Sequence, residues 1–186
     1  MANEILFGFV MMCMAVILKI LSVWDIMITV KQLGPSDCQS YRAIRLESLR
    51  IHPDWFAADY EKERLKSVLF FEEQLRFATD SGKAVFGAFN HDALIGICAV
   101  AFILEGQAEL LQVYVKDEFR GHGILNRLIC LAKGYVKAQG GRLLSLEVHS
   151  SNQIAIRGYR RAGFSVRITD DVDHNDSLFM DMRLSC

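Results

Sequence analysis

The chain lacks an excess of either charge. Lys and Arg number 21 and Asp and Glu 22 over 186 residues. Lys19, Glu4 and Asp25 fall before Met27, which leaves 20 of each sign from there on. No basic field exists to recruit nucleic acid, so that partner class is excluded. A cysteine framework is missing too. The five cysteines, Cys13, Cys38, Cys98, Cys130 and Cys186, are odd in number, scattered and free of any C-x-x-C pair. That speaks against disulfide stapling and a zinc site, and for a reducing, cytoplasmic compartment. There is no internal repeat, no low-complexity segment, and no metal-ligand set, aromatic cage or acidic cluster that would name a ligand. What remains is 52% hydrophobic and 23% charged, a composition that suits one globular unit with a sizeable core.

One long hydrophobic run stands apart. Ile5 to Trp24 is almost wholly apolar, interrupted by Lys19 alone. Its length is about the 20 residues a bilayer-spanning helix needs, and Lys19 sits near enough to its end to snorkel. A cleaved signal peptide fits poorly, because the leading segment carries Glu4 and no Lys or Arg. Met27-Ile28-Thr29-Val30-Lys31-Gln32-Leu33 already reads as an opening strand. Three readings of residues 1–26 stay open: a start codon placed too far upstream, a membrane anchor through residues 5–24, or an extra packed helix. The chain divides accordingly into an N-terminal extension, 1–26, and a domain, 27–186.

Within the domain, strand and helix patterns alternate. Ile26–Leu33 opens as a strand, and Gly34-Pro35-Ser36 is a turn whose Ser36 or Asp37 caps a helix to about Arg50. Tyr41, Ile44, Leu46 and Leu49 form its apolar face, with Arg45 and Glu47 expected on the solvated side. Asp59 to Thr79 carries a second helical pattern, its Glu, Lys and Arg residues again assigned to solvent. Ala84–Phe89 and Leu94–Ile103 flank Asn90-His91-Asp92, a hairpin signal. Gly106-Gln107 turns into Glu109–Val115, and Leu144, Leu146 and Val148 alternate as a buried strand does. Gly163 ends a last helix before a final strand, Asp176–Leu184. This order is an α/β layer arrangement.

Between the Glu109–Val115 strand and a helix beginning near Asn126 lies Arg120-Gly121-His122-Gly123-Ile124. Glycines there leave backbone N–H groups unobstructed, and the helix start adds its own unpaired donors and the positive end of its dipole. The pattern suits a phosphate or pyrophosphate, although a tight strand-to-helix connection also wants glycine. Downstream stand Leu146-Glu147-Val148-His149-Ser150-Ser151-Asn152, then Ala155, Tyr159 and Ala162-Gly163-Phe164. The first segment resembles one signature of the GNAT superfamily of acyl-CoA-dependent N-acyltransferases, R/Q-x-x-G-x-G/A. The second resembles another, with Asn152 and Tyr159 seven apart. Tyr41–Leu49 followed by His52-Pro53-Asp54-Trp55-Phe56 looks like the family's first helix and substrate-side loop.

The resemblance implies a mixed, twisted central sheet with helices on both faces, and acetyl transfer from acetyl-CoA to a primary amine of a small molecule or protein. A homodimer and a non-catalytic acyl-CoA-binding sensor both stay open. The cofactor site it implies comprises Arg120, Gly121, His122, Gly123, Ile124, Leu125 and Asn126 through the loop backbone. Val113, Tyr114 and Val115 would hold the pantetheine arm as an added strand does, and Asn152 would contact the same arm besides capping its helix. No metal is implied. Leu125 departs from the family pattern, which wants Gly or Ala; either its side chain turns into the helix packing or it weakens cofactor binding.

Acetyl transfer needs a bound thioester, an uncharged amine and a proton for the departing thiolate. An ammonium with a pKa of about 10.4 requires a base. Glu109, eleven residues before Arg120, matches the spacing of the catalytic glutamate in histone-acetyltransferase members; otherwise it is a solvent-facing strand carboxylate. His149 is the competing base. Tyr159 matches the residue that protonates the thiolate, the plainer reading being a half-buried helix aromatic.

Overall fold

The computed structural model describes residues 27–77, 82–168 and 176–184. The apolar run at residues 5–24 lies outside them, and among the described residues no helix is long and apolar enough to cross a membrane. Seven strands form one sheet: β1 Ile28–Gln32, β2 Lys83–Asn90, β3 Ala93–Leu104, β4 Gln107–Val115, β5 Leu143–His149, β6 Ser165–Val166 and β7 Ser177–Arg183. Their order across the sheet is β1-β2-β3-β4-β5-β7-β6. Every pairing is antiparallel except β4 with β5. Among the described residues, five helices cover it: α1 Cys38–Ile51, α2 Tyr60–Arg64, α3 Glu72–Phe77, α4 Ile124–Ala138 and α5 Gln153–Ala162. The mixed sheet with helices on both faces is the arrangement expected.

Strand alternation builds two cores from one sheet. Ala84, Phe86 and Ala88 of β2 pack with Leu128, Ile129, Ala132 and Val136 of α4. The intervening Val85 and Phe89 turn the other way, toward Tyr41 and Ile44 of α1 and Leu75 of α3. The hairpin signal is realised by His91-Asp92, where His91 takes φ 51° in the tight β2–β3 turn.

Two expectations fail on the α1 face. Arg45 is not solvated but 5% exposed, because α1 presents it between the sheet and the Phe56 ring, 4.9 Å away. The helical pattern from Asp59 to Thr79 breaks into α2 and α3, since Leu69 and Phe71 between them are drawn into the core. Glu72 then becomes a buried anchor. Burial alone would raise its carboxyl, but the Leu69 N–H, Arg76 and Arg42 together hold it below the usual range. Both arginines are partly exposed, so the loss on replacing Glu72 is chiefly that of hydrogen bonds to a charged group, about 1.5–3 kcal/mol. Glu72→Gln should therefore unfold at clearly lower denaturant concentration than the wild type, the m-value being unchanged.

Candidate active site

β4 and β5 run side by side for only three residue pairs, Gln107↔Leu143, Ala108↔Leu144 and Glu109↔Ser145, and then part. The cause lies in β4. Its register against β3 slips between Ile97 and Ala99, and Gln112 takes the unusual φ of 52°. A bulge of this kind bends the strand away from its neighbour. Tyr41 of α1 braces it, donating its hydroxyl to Gln112 Oε1 at 2.8 Å. The wedge so opened is a cavity of about 540 Å³. It passes through the sheet: Leu110, Val148 and Tyr159 belong to the α4 core, Tyr114 to the α1 core.

The glycine loop closes one end. A short 3₁₀ turn, Asp117–Phe119, leads into it, and Gly121 and Gly123 adopt φ 87° and 72°. Neither would bring a Cβ within 4 Å of another atom. The left-handed backbone of these two glycines faces open space before the first turn of α4, whose N-cap is Gly123. That is room for a pyrophosphate on backbone donors. Arg120 is anchored instead of free: Nε donates to Val115 O at 3.1 Å, Nη2 pairs with Asp117 at 2.6 Å and meets His52 Nε2 at 3.1 Å, and the guanidinium lies over Trp55. Its side chain ties the loop to the chain after α1, leaving the backbone to bind.

Of the residues expected at the cofactor, Val113, Tyr114, Val115 and Arg120 line the cavity. So do Gly121, Gly123, Ile124, Leu125, Asn126 and Asn152. His122 does not; it is exposed, with Nδ1 3.2 Å from Phe119 O. Asn152 is the N-cap of α5, accepting from the Ala155 N–H at 3.1 Å. Leu125 is turned into helix packing: a Cβ on Gly158 would lie 2.5 Å from its Cδ2. The first of the two alternatives, a side chain that packs against the neighbouring helix, is thus the one the geometry fits, though Leu125 also keeps a place in the cavity wall. Leu125→Ala should accordingly cost stability without improving acetyl-CoA affinity. The loss should fall below the roughly 2–5 kcal/mol of a fully buried leucine, and denaturation with calorimetry measures both.

Tyr159 is 6% exposed and set edge-to-face against Phe164 at 5.9 Å. Burial, with the Cys98 thiol nearby, pushes its hydroxyl well above the usual phenol range. It stays protonated at any physiological pH. Glu109 and His149 lie on the opposite face from Leu110 and Val148, by strand alternation, and are not part of the cavity wall. Glu109 is the last β4 residue paired with β5, at the fork of the wedge. Its carboxyl is raised by burial and by Glu147, against the pull of Arg167. His149 sits further along β5 with Nδ1 2.7 Å from Ser151 Oγ. Sequence reasoning missed Gln112, Arg157 and Arg161 as wall residues and quoted Trp55 and Phe56 only as part of a loop. The i, i+4 spacing of the two arginines on α5 was the available signal for a cationic rim. No group of three His, Cys, Asp or Glu residues able to hold a metal occurs among the described residues.

Residues 44–164 match the model of the Acetyltransferase (GNAT) family. The chain is 31% identical over 119 residues to spermidine N(1)-acetyltransferase of Thermoplasma acidophilum, covering 64% of this chain and 70% of that one. Among solved structures it resembles the PaiA N-acetyltransferase of Thermoplasma acidophilum in complex with coenzyme A, with TM-score 0.67 and 24% identity over 84% of this chain and 98% of that one. It also resembles a GNAT-family acetyltransferase from Streptococcus pneumoniae, with TM-score 0.68 and 17% identity over 85% of this chain and 99% of that one. At those identities the structural likenesses speak for the fold. With a glycine cradle, an open strand edge and a buried tyrosine set around one wedge, the chain belongs to the GNAT acetyltransferase family and is an acetyl-CoA-dependent N-acetyltransferase.

Proposed function

We propose that the wedge between β4 and β5 is where this enzyme acetylates a primary amine, small-molecule or protein, with Tyr159 as acid and Glu109 as base. The observation that carries this reading is the open edge of β4 beyond Glu109, lying between the glycine cradle and Tyr159. The edge residues Val113, Tyr114 and Val115 offer backbone groups to an amide-bearing arm, as a sheet edge does to an added strand. The N–H groups from Gly121 to Asn126 receive the pyrophosphate, and Arg157 and Arg161 add positive charge at the rim. The bound thioester supplies the acetyl group. Tyr159 keeps its proton until a thiolate departs, and Glu109 accepts the amine proton, with His149 the competing base. Holding both reactants in one wedge contributes independently of either proton transfer.

Release of free CoA from acetyl-CoA across a panel of amines tests the reading. Transfer to at least one amine supports it, and binding without turnover on any amine sinks it. The relative that acts on spermidine puts polyamines on that panel. Calorimetry should show acetyl-CoA and CoA binding similarly, with a dephosphorylated pantetheine fragment much weaker. Equal affinity for all three would exclude a pyrophosphate cradle. A cytoplasmic location belongs to the same reading; alkali-resistant membrane association of the full chain would point to an anchor through residues 5–24 instead.

A further inference from the structure

Arg45 is a buried cation without a hydrogen-bonding partner for most of its head. It is 5% exposed, and among the described residues its Nε and Nη1 have no acceptor. Burial lowers its affinity for its proton, and Tyr41 and Glu63 offset only part of that. Glu63 is engaged elsewhere, with Lys66 Nζ at 2.6 Å. A guanidinium taken from water and left unpaired is costly, and such groups are as a rule paired. One of its neighbours lines the wedge and another braces its wall. Its guanidinium lies over the Phe56 ring, itself part of the cavity wall. It also neighbours Tyr41, whose hydroxyl braces the wall residue Gln112. Phe56 thus stands between the cavity and a cation that lacks an anion.

We infer that Arg45 is the recognition point for a carboxylate on the acceptor, so that the preferred substrate is a small amine bearing a carboxylate. The inference rests on the wedge being the acetyl-transfer site. When the Phe56 ring swings aside, the orphaned Nε–H and the Nη2 beside it offer the side-on fork that a carboxylate takes from arginine, as Asp181 does from Arg167. The same acceptor presents its amine toward the β4–β5 fork, where Glu109 stands. A polyamine offers nothing to this site and leaves the cation uncompensated.

Matched pairs decide it: lysine against cadaverine, ornithine against putrescine, phenylalanine against phenethylamine, each with acetyl-CoA and the full-length enzyme. The carboxylate-bearing member should show kcat/KM higher by roughly 10- to 100-fold, the usual worth of a hydrogen bond to a charged group. Arg45→Met should erase that preference, mainly through acceptor KM, while KM for acetyl-CoA stays put. It should fold at least as well as the wild type, since it removes an unpaired buried charge. Should Arg45→Met fail to fold, Arg45→Lys keeps the charge but loses the fork and should still lower the preference, whereas an unchanged ratio in that variant overturns the inference. Amines without a carboxylate acetylated as fast as their partners, or a preference that survives in Arg45→Met, would overturn the inference. So would transfer confined to diamines, and that outcome leaves the transferase reading standing. Absence of turnover on every amine would instead bring down the reading on which it rests.

Discussion

Replacing Tyr159 with Phe is expected to lower kcat by about 10²–10⁴-fold, the range a general acid supplies, with little change in acetyl-CoA affinity. The ring stays, so its edge-to-face packing on Phe164 and its place in the α4 core are kept. Only the proton is lost. The measurement is steady-state kinetics beside a binding isotherm. A fall in affinity that matches the fall in rate would mean that the hydroxyl holds the substrate instead of protonating the leaving group. An unchanged kcat would mean that solvent supplies the proton.

The second large effect is assigned to Glu109. A base acts only when ionised, so kcat/KM for the amine falls as pH drops through its pKa. Burial and the neighbouring Glu147 raise that pKa, with Arg167 opposing, so the acidic limb should sit above the usual carboxylate range. Glu109→Gln should flatten this limb and reduce the plateau by about 10²–10⁴-fold. Glu147→Gln, which removes a repulsive charge, should move the limb to lower pH and leave the plateau high. If the limb persists in Glu109→Gln and disappears in His149→Asn, the base is His149. If neither variant alters it, proton loss to solvent suffices and positioning carries the rate.

The features legible in the sequence are those whose cause is local. Glycines at 121 and 123 announce a backbone that must reach positive φ, and both do. Asn152 announces a helix cap three residues before the N–H it bonds. The His91-Asp92 turn and the alternation of β5 follow from short-range chemistry as well. The illegible features depend on tertiary approach. Nothing in the composition of α1 marks Arg45 as buried, since arginine at a helix position reads as solvated until the Phe56 loop folds over it. Gln112 has no residue-type preference for φ 52°; the bulge comes from the β3–β4 register and the Tyr41 brace. Leu125 looked misplaced because its compensation, Gly158, lies 33 residues away on another helix. A periodic pattern from 59 to 79 hid two helices, because the pull of Leu69 and Phe71 into the core outweighs local helix preference.

The parting of β4 from β5 after three paired residues has a kinetic corollary. On the proposed reading, the groups that the glycine cradle and the free β4 edge would hold all belong to the carrier, and the spent carrier keeps them once the acetyl group has gone. Free CoA should therefore compete with acetyl-CoA at comparable concentration and leave slowly. Turnover in a cell would then track the ratio of charged to uncharged carrier more than the absolute supply of either, and the enzyme would read acetyl status as it works.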